Sequence, residues 1–350
     1  MKRTVLQHVV CPSCHMGLDL TGNGAATRKE ILSGRLVCAS RTHRYPIESG
    51  VPRLLIKQDM PREQALTERS FSAKWRRAPD YLRQTGRFYT EWYLQRYGFR
   101  QLKDLRRFLA NTRFILDAGT GTGRDNRLYA EHSPAQVFGI DISVGIQTAY
   151  RDLKAIPNLH LLRANIMHLP FRNRFFDFIA CDQVLHHTAD PKASLQQLVN
   201  RLRAGGHLAF YVYRRKGPVR EFCDDYLRAV TTKMSEQECY RFAEAVTKFG
   251  KTLAEQQVTI RVPEDIPLLQ LKAGRYDLQR FFHWNVFKCF WNKEFSKDTN
   301  AVINFDWYHP TSAYRYTEEQ MRQWCEECGL QIERMNVVEA GISVLALKRA

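Results

Sequence analysis

The stretch "FILDAGTGTGRD", residues 114–125, is an apolar run that ends on a carboxylate and breaks into three alternating glycines. The run reads as a buried strand. Gly119, Gly121 and Gly123 read as a tight turn where the backbone comes close to a bound group. Two phosphate-binding readings fail on spacing. A phosphate loop needs Lys followed by Ser or Thr after its last glycine, and here Arg124 and Asp125 follow. A dinucleotide fingerprint needs its third glycine three residues after the second; that position is Arg124, and Gly123 arrives one residue early. Asp117, at the strand end, is awkward beside a pyrophosphate and sensible beside a cation.

Around this stretch, residues 113–213 alternate short apolar runs with amphipathic ones, the pattern of βα units and a parallel sheet. Strands are expected at "RFILDAG", "QVFGID", "LHLLRA", "FFDFIAC" and "HLAFYVY", and helices starting near Arg124, Val144 and Pro191. Residues 214–313 break the alternation and are too long for a structureless loop. "SEQE" at 235–238 has the spacing of a capping box, and "YDLQRFFHWNVFKCFW" has a broad apolar face. A helix over "TEEQMRQWCEECG" follows, with Thr317 and Gln320 as a second capping box. A hairpin over "LQIERMNVVEAGISVLALK" comes after it, with Gly341 in the turn region.

The spacing Asp117-x-Gly119-x-Gly121-x-Gly123 resembles the first motif of class I S-adenosylmethionine-dependent methyltransferases. The likeness continues in order through "GIDIS" (139–143), "RANIMHLPFRNRFFDFIACDQVLHH" (163–187), "LVNRLRAGGHLAFYVY" (198–213) and the final hairpin. It implies an α/β fold: a Rossmann-like sheet with an antiparallel last strand and a largely helical insertion after the fifth strand. It also implies S-adenosylmethionine as cofactor, held by Asp117, Gly119, Gly121, Gly123, Asp141, Ile142, Asn165, Ile166 and Asp182. Asp141 stands where the family grips the ribose diol. Asn165 replaces the family's usual aspartate at the adenine amino group, and its amide oxygen still accepts that bond.

A second constellation lies near the N-terminus. Cys11-x2-Cys14 and Cys38-x4-His43 supply three thiolates and an imidazole, a set that Zn²⁺ takes as a closed structural site. With the following "YPIESGVPRLL", the segment resembles the zinc-ribbon activators of tRNA and rRNA methyltransferases and the ribbon of bacterial rRNA guanine methyltransferases. The commoner ribbon has its fourth cysteine about where Arg41 lies, so His43 is the expected last ligand and adjacent His15 the substitute. "CEEC" at 325–328 falls on an amphipathic helix with no second pair, and reads as core.

The division expected is a zinc ribbon over 1–58, a basic aromatic helical linker over 59–112, a methyltransferase core over 113–213 and 314–350, and a lid over 214–313. The net charge is +17, with residues 1–112 holding 21 Lys/Arg against 9 Asp/Glu. That surplus suits RNA or another anionic partner, or only a solvated face. No run is long enough to span a membrane, and the N-terminus lacks a signal-peptide core. Nine cysteines, odd and scattered, point to a reduced, cytoplasmic protein. The oligomeric state stays open.

Methyl transfer is a displacement at a carbon already activated by sulfonium, so alignment and exclusion of water dominate. Candidate catalytic residues are His186 and His187, after the fourth strand, with Tyr308 and His309 from "NFDWYHPTSAYRY"; Asp306 and Arg315 are candidate substrate contacts. Three readings follow. A small-molecule acceptor under the lid is favoured over RNA bound by the basic third; a non-catalytic activator module is the remaining one.

Overall fold

The computed structural model describes residues 1–22, 24–27, 30–56, 60–77 and 81–349. The chain opens with an antiparallel meander: β1 (Leu18–Thr21), β2 (Gly34–Cys38), β3 (Arg44–Glu48) and β4 (Val51–Leu54). Three helices follow, α1 (Arg62–Arg77), α2 (Tyr81–Tyr97) and α3 (Leu102–Leu109). The alternating region then gives β5 (Phe114–Ala118), α4 (Arg124–His132), β6 (Gln136–Asp141), α5 (Gly145–Leu153), β7 (Leu159–Ala164), β8 (Phe176–Cys181), α6 (Pro191–Arg201) and β9 (Leu202–Arg214). Every strand and helix start expected there is present, because each apolar run has helices packed on both faces.

The interrupted region holds α7 (Pro218–Thr231), α8 (Glu236–Glu255), a hairpin of β10 (Thr259–Val262) and β11 (Gly274–Asp277), α9 (Leu278–Asn285) and α10 (Lys297–Tyr308). After it come β12 (Arg315–Tyr316), α11 (Glu318–Glu327), β13 (Leu330–Val337) and β14 (Gly341–Lys348). Both capping boxes form, at Ser235/Glu238 before α8 and Thr317/Gln320 before α11. Cys325 and Cys328 are buried in the core, as their helix pattern implies.

Among the described residues one sheet runs β1-β2-β3-β4-β7-β6-β5-β8-β9-β14-β13, with β12 pairing β9 in parallel. The strands from β4 to β9 are parallel neighbours, and β14 lies antiparallel on β9. The N-terminal meander thus extends the main sheet, with Arg53 opposite Arg163 and Leu54 opposite Ala164. Side-chain alternation splits the core in two. Ile115, Val137, Leu161 and Phe178 face Tyr97, Leu105 and Ile146 on one side. Leu116, Phe138, Leu162 and Ile179 face the other, where Leu195, Leu198 and Met321 pack together with Val5 and Cys11.

The helical insertion has its own core of Cys239, Ala243, Phe305, Trp307 and Tyr308, joined by Ala73 of α1. Its helix α7 is turned polar side in. Arg220 pairs with Asp224 at 2.5 Å with both side chains at most 1% exposed, and the buried Arg228 donates to the carbonyls of Trp307, Pro310 and Thr311. These bonds fasten the insertion to the segment that returns to the sheet. No helix among the described residues is long and apolar enough to cross a membrane.

Candidate active site

The sheet order reverses at β5, whose neighbours β6 and β8 lead away in opposite directions. Loops leaving the carboxyl ends of strands on the two sides of such a point part and leave a crevice. A cavity of about 1040 Å³, counting its open mouth, lies there. One wall comes from the loops after β5, β6, β7 and β8: Gly119–Thr122, Ile140–Ile142, Ala164–Ile166 and Asp182–Val184. The facing wall comes from α1 and α2, with Phe71, Lys74, Trp75, Tyr81 and Tyr89.

The glycine turn is not a phosphate cradle. The N–H groups of Gly119 and Thr120 donate to Ile140 O, that of Gly123 donates to Thr120 O, and that of Gly121 donates to Asp141 Oδ2 at 2.7 Å. An anion nest needs such amides free. Gly119, Gly121 and Gly123 all have positive φ, and a Cβ on each would come within 2.3 to 2.7 Å of Val184, Trp75 or Leu153. Below the turn, Asp117 is 2% exposed with Oδ2 unpartnered, and burial first, then Asp125, pushes its carboxyl well above the usual range. Such a carboxyl regains its charge most readily beside a cation, so the site favours a cationic group over phosphate. Asp117 itself is not part of the cavity surface.

Asp141 reaches the cavity from the end of β6. Its Oδ1 accepts from the N–H and hydroxyl of Ser143, at 2.7 and 2.6 Å. With the Gly121 N–H on Oδ2, three of the four lone pairs of the carboxylate are taken, and the one left, on Oδ2, can accept from a hydroxyl. Asn165 Oδ1 accepts from Met167 N–H at 3.1 Å, and Ile142 and Ile166 give the adjoining apolar surface. Asp182 also lines the cavity, but its carboxylate is engaged by Arg96 at 2.8 Å, Tyr97 at 2.8 Å and Gln183 at 3.0 Å. Burial alone would raise it; Arg96 and Arg124 beside it hold it below the usual range. Asp182 therefore ties α2 to the end of β8.

Of the catalytic candidates, His187 lines the cavity. Its Nδ1 lies 2.6 Å from Ser312 O. A carbonyl only accepts, so the ring donates from Nδ1 and keeps its Nε2 lone pair. Burial pushes its pKa down to about 3, which keeps the ring neutral. His186 is fully buried against Tyr213, ring centroids 3.7 Å apart. Tyr308 is fully buried and donates to Lys288 O at 2.6 Å, and His309 stacks on Phe305. Asp306 pairs with Lys74 at 2.7 Å, while Arg315 pairs with Glu221 at 3.0 Å and with Asp225. Among the described residues the lining includes none from 214–313. The cluster 306–309 sits one layer behind α1.

What covers the glycine loop is α1, whose inner face is polar. Gln64 accepts from Ala189 N, Glu68 pairs with Arg163, Ser72 accepts from Val144 N and Lys74 pairs with Asp306. These contacts pin α1 across the loops after β6, β7 and β8. The aromatic and basic interleaving of "FSAKWRR" was the available signal, and spacing alone reads it as linker.

The Cys/His set converges as well. Ligand atoms of Cys11, Cys14, Cys38 and His43 all lie within 4.8 Å of one another, with His43 Nδ1 3.6 Å from both Cys11 Sγ and Cys38 Sγ. Against burial that would raise it, hydrogen bonds from Ser40, His43 and Thr42 bring the Cys38 thiol down to about 5. Arg41 turns the chain with φ +60°, which carries it past the position of the commoner fourth cysteine and brings His43 back to the site.

Residues 116–210 match the family described as methyltransferase domain. That match covers 95 of the 350 residues and makes this region similar to a methyltransferase domain. The chain is 34% identical over 99 residues to a tRNA U34 carboxymethyltransferase of Pseudoalteromonas atlantica, covering 27% of this chain and 30% of that protein. It is 28% identical over 131 residues to the ubiquinone/menaquinone biosynthesis C-methyltransferase of Vibrio cholerae, covering 35% and 50%. The matches thus span half or less of these relatives' lengths. A complex of the Trm112 methyltransferase activator with a methyltransferase from Haloferax volcanii is a structural neighbour. Its TM-score is 0.42 at 11% identity, over 83% of this chain and 98% of that one.

Proposed function

We propose that this chain transfers a methyl group from S-adenosylmethionine to a small molecule enclosed between the central sheet and helices α1 and α2. The observation that carries this reading is the two-walled cavity at the sheet's switch point, with a glycine turn whose glycine amides are all bonded and a carboxylate with an open acceptor site on one wall. Bound there, the cofactor supplies an electrophilic methyl on a positively charged sulfur. Asp141 accepts from one ribose hydroxyl at Oδ2, and from the second at Oδ1 once the Ser143 hydroxyl turns away. Asn165 presents its amide to the adenine edge between Ile142 and Ile166. The turn over Asp117 receives the amino acid end, whose ammonium would draw the buried carboxyl into its charged form.

On the facing wall, Phe71, Tyr81 and Tyr89 exclude water and hold the acceptor flat. His187 Nε2 accepts a hydrogen bond from an attacking hydroxyl, orients it and relays its proton to solvent. Tyr308 and His309 act indirectly, by fixing the insertion behind α1, and Asp306 by holding Lys74. Zn²⁺ held by Cys11, Cys14, Cys38 and His43 is structural. Tetrahedral geometry with Zn–S near 2.3 Å and Zn–N near 2.0 Å puts sulfur and nitrogen about 3.5 Å apart, close to the 3.6 Å found.

Calorimetry with S-adenosylhomocysteine tests the donor site. Asp141→Ala should weaken binding roughly tenfold or more, since charge-assisted hydrogen bonds contribute about 1.5–3 kcal/mol. Tight nicotinamide dinucleotide binding without S-adenosylhomocysteine binding would overturn the reading. Methylation of RNA with a steep salt dependence, and of no small acceptor, would overturn its substrate half. Metal analysis should find about one zinc per chain, and none in Cys11→Ser/Cys14→Ser.

A further inference from the structure

The charge at the acceptor end of the cavity is set by three groups from distant parts of the chain. Lys74 is on the cavity wall, and its side chain is only 9% exposed. Its Nζ lies over three rings of the same wall: Trp75 at 4.4 Å, Tyr81 at 5.3 Å and Phe71 at 5.6 Å to the centroids. Behind it, Asp306 takes Lys74 Nζ at 2.7 Å on one oxygen and Lys288 Nζ at 3.9 Å on the other. Burial lowers Lys288 to about 8, so it is mostly protonated at pH 7. Two ammoniums therefore share one carboxylate, so the three groups together carry a net single positive charge, and Lys74 is their member on the cavity wall. An ammonium has three donors, and ring faces do not accept them as an oxygen would.

The neighbouring group fixes the other end of the ligand. His187 packs edge-on to Phe71, ring centroids 4.8 Å apart, and offers a lone pair to the cavity. A cation would be repelled at Lys74, and a neutral acceptor would leave the net positive charge of the three groups without a counter-ion, which is costly. From the sequence, Asp306 reads as a substrate contact; with Lys74 and Lys288 both on it, the sign presented to a ligand is positive.

We propose that the acceptor is an anionic aromatic, a phenol bearing a carboxylate, with the carboxylate received by Lys74 and the hydroxyl facing His187. This rests on the methyl-transfer reading above. In the step, an oxygen lone pair forms the new O–C bond as the C–S bond breaks with its electrons going to sulfur. The hydroxyl proton passes by way of His187 Nε2 to solvent, because a ring with its pKa lowered to about 3 does not keep it at pH 7, and the products are a methyl ether, S-adenosylhomocysteine and a proton. Lys74 is a specificity residue with no part in the proton transfer.

The experiment uses a matched series of 4-hydroxyphenylacetate, its neutral amide and the cation tyramine, each titrated into protein saturated with S-adenosylhomocysteine. The carboxylate should bind about tenfold or more tightly than the amide, and tyramine weakest of the three. Lys74→Met should erase that preference while leaving S-adenosylhomocysteine affinity unchanged, and Lys74→Arg should restore part of it. Equal or tighter binding of the amide or the amine would overturn the proposal. So would a preference that survives Lys74→Met, or no carboxylate binding up to about 10 mM. If S-adenosylhomocysteine itself fails to bind, the donor reading falls instead, so the two failures are distinguishable.

Discussion

The two walls of the cavity are built on different principles. The wall proposed for the donor is a set of backbone turns at the ends of adjacent parallel strands, placed by the sheet and gathered from residues 119–188. The acceptor wall is side chains on α1 and α2, remote in the fold and held down by polar contacts from Gln64, Glu68, Ser72 and Lys74. Turns on a sheet are rigid and permit few sequences, whereas a helix pinned by hydrogen bonds can change its facing residues freely. The donor wall suits a constant ligand and the acceptor wall a variable one.

The largest expected effect comes from the joint between the walls. Arg96 of α2 and Asp182 of β8's end are each 1% exposed, so Arg96→Met removes the nearest cation from a buried carboxylate and leaves it only the more distant Arg124 at 3.4 Å. Loss of one partner of such a pair costs about 3–5 kcal/mol. Chemical denaturation should show it; a loss under about 1 kcal/mol would mean the walls are joined elsewhere.

A second test uses the point where the walls touch. A Cβ at Gly121 would lie 2.7 Å from the Trp75 ring, at a residue with φ +56°. Gly121→Ala should cost about 1–3 kcal/mol, part of it backbone strain and part the clash. In a Trp75→Ala background only the strain should remain, about 1–2 kcal/mol. Additive effects in that double-mutant cycle would show that the contact carries no coupling.

The pH dependence follows from His187 and His160, both pushed down to about 3 chiefly by burial. Each is neutral when folded and takes a proton near 6.5 when unfolded. Stability is therefore fully present above pH 6.5 and falls as pH drops toward 3, by up to about 1.4 kcal/mol per unit for each histidine. His187→Gln should flatten that slope by one histidine's share; an unchanged slope would place His187 in contact with water. The smallest effect is Ser72→Ala, which removes one bond pinning α1 at Val144 and should cost about 0.5–1.5 kcal/mol. It should loosen acceptor binding before donor binding.

Much of this was legible in the sequence. The run 114–125 announced its strand and turn because an apolar stretch followed by alternating glycines has few other conformations, and the spacing of Asp141 and Asn165 followed from the βα repeat. The Cys/His set was equally local: short knuckles bring each pair of ligands together, and β2 and β3 bring the pairs to one place. Capping boxes at Ser235 and Thr317 depend on four residues each, and both form.

Other features had no local signal. Asp182 has the spacing of a cofactor ligand, yet Arg96 arrives beside it from 86 residues away. The cluster 306–309 has a pocket's composition, but Ala73 and the rest of α1 lie between it and the cavity. Nothing in residues 1–54 requires β4 to pair with β7. The sequence by itself determined the strands, the glycine turn and the ligand spacing, since these depend on backbone sterics and short-range hydrogen bonds. Only the tertiary structure decided which helix covers the turn and which charges are already paired. Those are contacts between residues far apart in the chain, and burial and Coulomb energy act on distance in space.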